Sequence, residues 1–170
     1  GVYLTLFERY HHHPLPVPII KRRPFILKPA LYDEAKYFIL KQLPLLIFVP
    51  TIEDCEDVYN FLKKFLSNGE YVHSKRNNRE EIIQRFKEGK YDYLVTTSVL
   101  ERGVTIKNLQ VIIYKSEHNI YDKASLIQIS GRVGRKIDAY DGKVIFLCQF
   151  ITSEMEKAIS EIKKYNQTLL

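Results

Sequence analysis

Residues 45–69 read LLIFVPTIEDCEDVYNFLKKFLSNG, and this stretch decides the fold class. Its first five residues, LLIFV, form an unbroken apolar run, as expected of a strand buried on both faces of a parallel sheet. Thr51 then has the position of a helix N-cap with Asp54 three residues later, and apolar residues follow at helical spacing until Asn68-Gly69. A buried strand that leads into an amphipathic helix is the repeating unit of α/β proteins.

The same alternation of strand-like and helix-like runs extends from this stretch in both directions. Further strands are predicted at residues 2–7, 71–73, 93–96, 110–114 and 143–147, and further helices at 30–43, 79–87 and 153–165. Residues 123–135 begin as a helix, and Gly131 and Gly134 suggest that it breaks there or is closely approached. Three prolines in residues 14–18 predict an extended segment. We therefore expect an α/β fold, an open, twisted and mostly parallel sheet of about five strands with helices on both faces. Residues 1–44 are interpreted as an interdomain linker with a strand and the first helix, part of the same fold as the domain at 45–170.

The bulk composition fits one globular domain. The chain has 170 residues, of which 45% are hydrophobic and 27% charged, ordinary values for such domains. Its net charge of +6 and pI of about 9.2 favour a polyanionic partner. Cys55 and Cys148 match no metal-binding spacing, so we expect buried free thiols, a reducing compartment and no metal site. The chain begins at Gly1 without a charged leader, and we interpret it as a piece of a longer cytoplasmic protein.

The segment QISGRVGR, residues 128–135, is the sharpest chemical signal. If it is helical, Gln128, Arg132 and Arg135 lie on one face, opposite an apolar face that packs on the sheet. Arginine suits phosphate because its planar guanidinium donates hydrogen bonds in pairs and stays charged. The alternatives are a solvated basic helix end, or the GXXG loop of a KH module, which the residues GRVG also match.

The segment TTSVLERGVTI, residues 96–106, follows a predicted buried strand. Thr96, Thr97 and Ser98 offer hydroxyl and backbone N–H groups at the carboxyl end of that strand, where they suit the phosphates of a bound nucleic acid. Gly103 permits a tight turn. The alternative is an ordinary strand-to-helix loop with Ser98 as a cap.

Two further junctions offer candidate nucleic-acid contacts. LLIFVPT ends at Thr51, and VHSKRNNR, residues 72–79, follows a strand end with three basic side chains. His73, Ser74 and Arg79 are the candidates there, although a histidine at a strand end is more often structural.

In this order the segments resemble motifs IV, V and VI of the second, C-terminal RecA-like domain of superfamily two helicases and translocases. LLIFVPT is similar to motif IV, TTSVLERGVTI to motif V and QISGRVGR to motif VI. The phrases RYHHHPLPVP, VHS, LERGVTI and QISGRVGR most resemble the ComFA-like competence proteins of bacteria, and the primosomal helicase PriA is a more distant relative. ComFA-like proteins are ATP-driven motors that help to bring single-stranded DNA into the cell during natural transformation. The resemblance thus implies a RecA-like fold.

The resemblance also implies roles in nucleotide binding. Arg132 and Arg135 correspond to the motif VI arginines that reach the ATP γ-phosphate across the cleft between two motor domains, with Arg135 as the arginine finger. Gln128 corresponds to the motif VI glutamine beside the nucleotide. Gly103 and Thr105 correspond to positions near the ribose and the interdomain cleft.

Nucleic-acid contacts are implied at motif V and its neighbours. Thr97, with Thr96 and Ser98, corresponds to the motif V contact with the DNA backbone. DEAD-box members carry an acidic residue at the position of Thr105 and a basic one at that of Ile129, so the chain is not a DEAD-box protein.

No GxxxxGK[ST] phosphate loop occurs in the chain. The resemblance therefore implies that Mg²⁺-ATP is held mainly by an N-terminal RecA-like domain of the same parent protein, and that this chain alone hydrolyses no ATP. The other implied partners are single-stranded DNA and the competence DNA-uptake machinery, which would place the protein in the cytoplasm or at the inner face of the cell membrane. His11–His13 are interpreted as part of a natural linker.

Other functions stay open at this point. One is a RecA-like module that binds nucleic acid without any ATPase activity, and another is a domain of a PriA-like replication-restart helicase. A small-molecule α/β enzyme is disfavoured, because the chain lacks a nucleophile elbow, a dinucleotide-binding glycine fingerprint and a metal cluster.

Overall fold

Strands and helices alternate along the chain, as the sequence predicts. The computed structural model describes residues 13–97, 106–133 and 142–170. The elements in these ranges are β1 (Ile19–Arg22), α1 (Lys28–Leu40), β2 (Leu45–Phe48), α2 (Ile52–Leu62), β3 (Gly69–Val72), α3 (Arg79–Lys87), β4 (Tyr93–Thr96), β5 (Gln110–Tyr114), α4 (Lys123–Ser130), β6 (Val144–Cys148) and α5 (Ser153–Gln167).

The strands form one open sheet in the order β1-β6-β5-β2-β4-β3, and every pairing is parallel. The predicted fold class is therefore confirmed. Strand β2 lies near the centre of the sheet, with Leu45 in register with Tyr93 on one side and Gln110 on the other. All four of its residues are buried, as its continuous apolar run predicts.

The helices cover both faces of the sheet and bury two apolar cores. Leu45 and Ile47 point to the face that α1 and α2 cover. Leu46 and Phe48 point to the face that α3, α4 and α5 cover. This alternation follows from the two-residue period of a strand. Both cysteines are buried and free, as predicted.

The sequence-based boundaries were wrong at several places. Strand β1 was not predicted, and the strand predicted at residues 2–7 lies outside the described residues. Helix α1 ends at Leu40, short of the predicted residue 43, because Gln42 takes a left-handed conformation with φ 59°. Helix α2 ends at Leu62, which leaves Phe65 59% exposed instead of on the buried face.

The segment before β1 is attached at the amino edge of the sheet, the edge at which the parallel strands begin. Leu15 is buried, and its backbone N–H and C=O bond the side chain of Asn166 at 2.9 and 2.8 Å. Asn166 lies near the end of α5, which starts at the opposite, carboxyl edge and runs back along the sheet. Among the described helices, none combines the length and the apolar character needed to cross a bilayer.

Candidate nucleic-acid and nucleotide interfaces

The loops that follow β2, β3 and β4 lie side by side at the carboxyl edge of the sheet. Phe48 and Val72 are the register partners of Thr96 on its two sides, so the three strands end at the same level. Thr51, Thr97 and the candidate residues of the VHSKRNNR segment therefore share one edge, as the parallel topology requires.

Thr51 caps helix α2, as predicted, and its hydroxyl makes two hydrogen bonds there. The hydroxyl accepts a hydrogen bond from the backbone N–H of Asp54 at 3.0 Å and donates one to the Asp54 carboxylate at 2.8 Å. The other carboxylate oxygen of Asp54 receives Lys115 Nζ at 2.7 Å. Thr51 thus holds the shape of the motif IV loop. Lys115 was missed in the sequence, since it lies 61 residues away and no local pattern marks it.

His73 is buried beneath its loop, with 5% of its surface exposed. Its Nδ1 accepts the backbone N–H of Lys75 at 3.2 Å, and its Nε2 lies 3.3 Å from a carboxylate oxygen of Glu56. Both ring nitrogens are engaged inside the protein. The geometry favours the structural interpretation of His73, in which the ring fixes the turn that presents the next residues.

The basic side chains of the VHSKRNNR segment divide into one that is engaged and two that are exposed. Arg76 pairs with Glu70, donates to the carbonyl oxygen of Tyr71 at 2.9 Å and stacks 4.0 Å from the centroid of the Tyr71 ring. Lys75 and Arg79 are exposed, and no carboxylate within the described ranges pairs with either. Ser74 is exposed beside them. Ser74, Lys75 and Arg79 are therefore open to an incoming phosphate.

Motif V begins at the end of β4, where Thr96 and Thr97 differ in exposure. Thr96 is completely buried, and its carbonyl oxygen accepts the backbone N–H of Val49 at 2.9 Å. Its hydroxyl therefore does not reach the surface, in contrast to the expectation for a phosphate contact. Thr97 is half-buried and is the first loop residue. Ser98, Gly103 and Thr105 lie outside the described residues.

Helix α4 carries motif VI away from the carboxyl edge. Asp122 caps the start of the helix by accepting the backbone N–H of Ser125 at 2.8 Å. Since α4 connects the carboxyl end of β5 to the amino end of β6, its last turn lies towards the amino edge. Gln128 and Arg132 are partly exposed there.

The inner face of motif VI packs as the sequence predicts, but the helix is shorter. Ile129 and Val133 are buried against the sheet. The helix ends at Ser130, because the bonds from Arg132 N to Ile129 O and from Val133 N to Ser130 O tighten the last turn to an i→i−3 pattern. The helix therefore ends just before the first of the two glycines, Gly131, where the sequence suggests a break, and Arg135 lies outside the described residues.

Gln128 and Arg132 therefore lie towards the edge of the sheet opposite to the one at which Thr97 and the VHSKRNNR segment lie. The chain leaves β4 at Thr97 on the carboxyl edge and enters β5 at Gln110 on the amino edge, so residues 98–109 connect the two edges.

Comparison with known proteins identifies the family. The model of the helicase conserved C-terminal domain matches residues 32–137 of the chain. The chain belongs to this family. The resemblance to helicase C-terminal domains that motifs IV, V and VI carry is thereby confirmed.

The relatives of this helicase C-terminal domain include competence proteins. It is 34% identical to competence protein ComFA of Streptococcus pneumoniae over 96% of the chain and 31% identical to that of Bacillus subtilis over 94%. The chain spans only 40% and 36% of the lengths of these relatives. Its fold is similar to that of RecG bound to a three-way DNA junction, with a TM-score of 0.68 and 19% identity over 92% of the chain and 22% of RecG.

Proposed function

We propose that this helicase C-terminal domain is the second motor domain of an ATP-driven single-stranded DNA translocase that assists DNA uptake in natural transformation. The observation that carries the proposal is that the exposed side chains of Ser74, Lys75 and Arg79 lie at one sheet edge, whereas the described part of motif VI lies towards the other. The similarity to ComFA over almost the whole chain supports the choice of substrate and process.

At the carboxyl edge, the domain binds the phosphates of the single-stranded DNA. Arg79 and Lys75 supply charge, Ser74 and Thr97 supply shorter hydrogen-bond donors, and Thr51 and His73 hold the loops in place. Such contacts position a strand without reading its sequence, which suits a motor that must move along any DNA.

An N-terminal RecA-like domain mainly binds the Mg²⁺ and the phosphates of ATP. Towards the amino edge of the present domain, Arg132 contacts the γ-phosphate and Gln128 lies beside the nucleotide. A guanidinium and an amide fit this role because both donate hydrogen bonds to phosphate oxygens. Arg135 acts as the arginine finger, and Gly103 and Thr105 lie near the ribose. The two domains close when ATP binds and reopen after its hydrolysis, and this cycle moves the single-stranded DNA.

Replacing Arg79 by alanine is expected to weaken the binding of single-stranded DNA and reduce its dependence on salt. Each phosphate contact contributes a slope of about −0.7 to log K against log salt for single strands, so the slope should fall by that amount. Fluorescence anisotropy of a labelled oligothymidylate over a KCl series measures it. Arg85→Ala is the matched control, since Arg85 lies on the same helix and pairs with Glu81 at 3.1 Å. Equal slopes for both variants would rule out a phosphate contact at Arg79.

The chain alone is expected to hydrolyse no ATP, with or without DNA, because it has no phosphate loop. A steady-state phosphate-release assay on the 170-residue chain tests this expectation. Sustained turnover by the chain would overturn the assignment to half of a composite site.

The second candidate function is a nucleic-acid-binding module without ATPase activity, which would be favoured if no phosphate-loop domain precedes this chain in its gene. A PriA-like replication-restart domain remains the third. The proposed location is the cytoplasm, at the inner face of the cell membrane where uptake occurs.

A further inference from the structure

Two loops that leave neighbouring strands expose four large apolar side chains at the carboxyl edge. Phe25 and Ile26 follow β1 and are 88% and 66% exposed, and Phe150 and Ile151 follow β6 and are 56% and 46% exposed. The loops begin side by side, because the backbone N–H of Arg23 donates to the carbonyl oxygen of Cys148 at 2.8 Å. We call these four residues the β1–β6 patch. Exposed large apolar side chains that cluster on neighbouring loops are a feature of binding surfaces.

Two arginines, Arg22 at the end of β1 and Arg23 after it, lie next to the β1–β6 patch in the chain. Arg22 and Arg23 are both exposed, and no carboxylate in the described parts of the chain forms an ion pair with either. The carboxylate of Glu117 lies near the β1–β6 patch, where it accepts the backbone N–H of Gln149 at 3.2 Å. The guanidinium of Arg23 donates to the carbonyl oxygen of Arg22 at 2.8 Å. The surface therefore presents two aromatic rings next to two exposed guanidinium groups that have no carboxylate partner among the described residues.

The occupant of this surface is limited by its position. The segment that precedes β1 is bound at the amino edge through Leu15 and Asn166, so its described part does not cover the patch. The patch shares the carboxyl edge with Ser74, Lys75, Arg79 and Thr97. Strands β4 and β1 are four strand spacings apart in the sheet order, or roughly 20 Å at about 4.8 Å per spacing. A strand bound at motif V can cross this distance along one edge.

We propose that the β1–β6 patch is a second contact for single-stranded DNA, in which bases stack on Phe25 and Phe150 while Arg22 and Arg23 bind the phosphates. Proteins that hold single strands without sequence preference combine exposed aromatic rings with basic side chains in this way. The proposal rests on the proposed function and extends its DNA path from the centre of the sheet to the β1 edge.

The test separates base stacking from phosphate binding in the 170-residue chain. The probes are a 20-mer of thymidylate and a 20-mer of abasic deoxyribose phosphate, which carry the same charge. The variant Phe25→Ala/Phe150→Ala is expected to lose about tenfold or more in affinity for the thymidylate probe, since each stacked base contributes roughly five- to hundredfold, and to bind the abasic probe as the unmodified chain does. Leu40→Ala/Phe65→Ala is the matched control, because both residues are exposed apolar side chains away from this edge. Circular dichroism verifies that each variant is folded.

The outcomes distinguish this proposal from the proposed function. If neither probe binds the unmodified chain, both fail. If the thymidylate probe binds and Arg79→Ala weakens it, but Phe25→Ala/Phe150→Ala does not, only the β1–β6 patch proposal is overturned. Loss of binding to vesicles of anionic phospholipid, with DNA affinity unchanged, would show that the patch is a lipid surface and would also overturn it.

Discussion

Replacing Arg135 by alanine is expected to reduce DNA-stimulated ATP hydrolysis by a factor of roughly 10³ to 10⁵, the contribution of an inserted arginine in phosphoryl transfer. The residue would stabilise the charge that develops on the γ-phosphate oxygens in the transition state, so the loss should appear in kcat more than in KM. The measurement is steady-state turnover by a protein that joins this chain to its phosphate-loop domain, with saturating single-stranded DNA. Arg135→Lys should also fail, because an ammonium group lacks the planar pair of donors.

Two controls make the result for Arg135 specific. Arg85→Ala removes an arginine from the exposed side of α3 and should leave turnover unchanged. The DNA affinity of Arg135→Ala in the absence of ATP should also stay unchanged, because motif VI lies towards the edge opposite the DNA contacts. Normal turnover by Arg135→Ala would show that Arg135 is not the arginine finger. The function as a nucleic-acid-binding module without ATPase activity would then be preferred.

The central part of the fold was predictable because the signals there are local. Strands β4 and β5 and helix α3 have the predicted boundaries, since each is a short run of one periodicity between turn residues. Gly89 ends α3 with φ 78°, a conformation that glycine adopts without strain. The buried strand β2 was equally clear, since only a strand covered on both faces has such a continuous apolar run.

Features that depend on long-range contacts could not be predicted from local sequence patterns. Strand β1 has only four residues, IIKR, and becomes a strand by pairing with β6, more than 120 residues later in the chain. The pairing of Asp54 with Lys115 was equally invisible in the sequence, and it orients the carboxylate that accepts a hydrogen bond from the Thr51 hydroxyl. The burial of Thr96 likewise depends on strands on both of its sides.

The candidate site could be found from the sequence, but its division between two edges could not. In motifs IV, V and VI, polar residues follow an apolar run, and this pattern marks each motif in the sequence. Only the parallel topology reveals that Thr97 lies on the carboxyl edge, whereas Arg132 follows a helix that has returned towards the amino edge.

Gly69→Ala is expected to lower the free energy of unfolding by more than about 3 kcal/mol, in the range of severe overpacking of a core. Gly69 begins β3 beside Tyr93, its register partner on β4, and a methyl group at this position would overlap the tyrosine ring. The ring cannot move away, because it is completely buried and its hydroxyl donates to the carbonyl oxygen of Leu66 at 2.7 Å. Urea unfolding followed by circular dichroism measures the change, and the melting temperature should fall by roughly 6–12 °C.

Gly89→Ala separates this overlap from the ordinary cost of replacing a glycine. Gly89 has φ 78° with no atom within 4 Å of an added methyl group, so its replacement should cost only the backbone strain of about 1–2 kcal/mol. The double variant Gly69→Ala/Tyr93→Val should be more stable than the sum of its two single changes predicts, since the smaller side chain makes room for the methyl group. If Gly69→Ala and Gly89→Ala proved equally stable, or if the double variant were strictly additive, contact with the Tyr93 ring would not be the reason that the third strand begins with glycine.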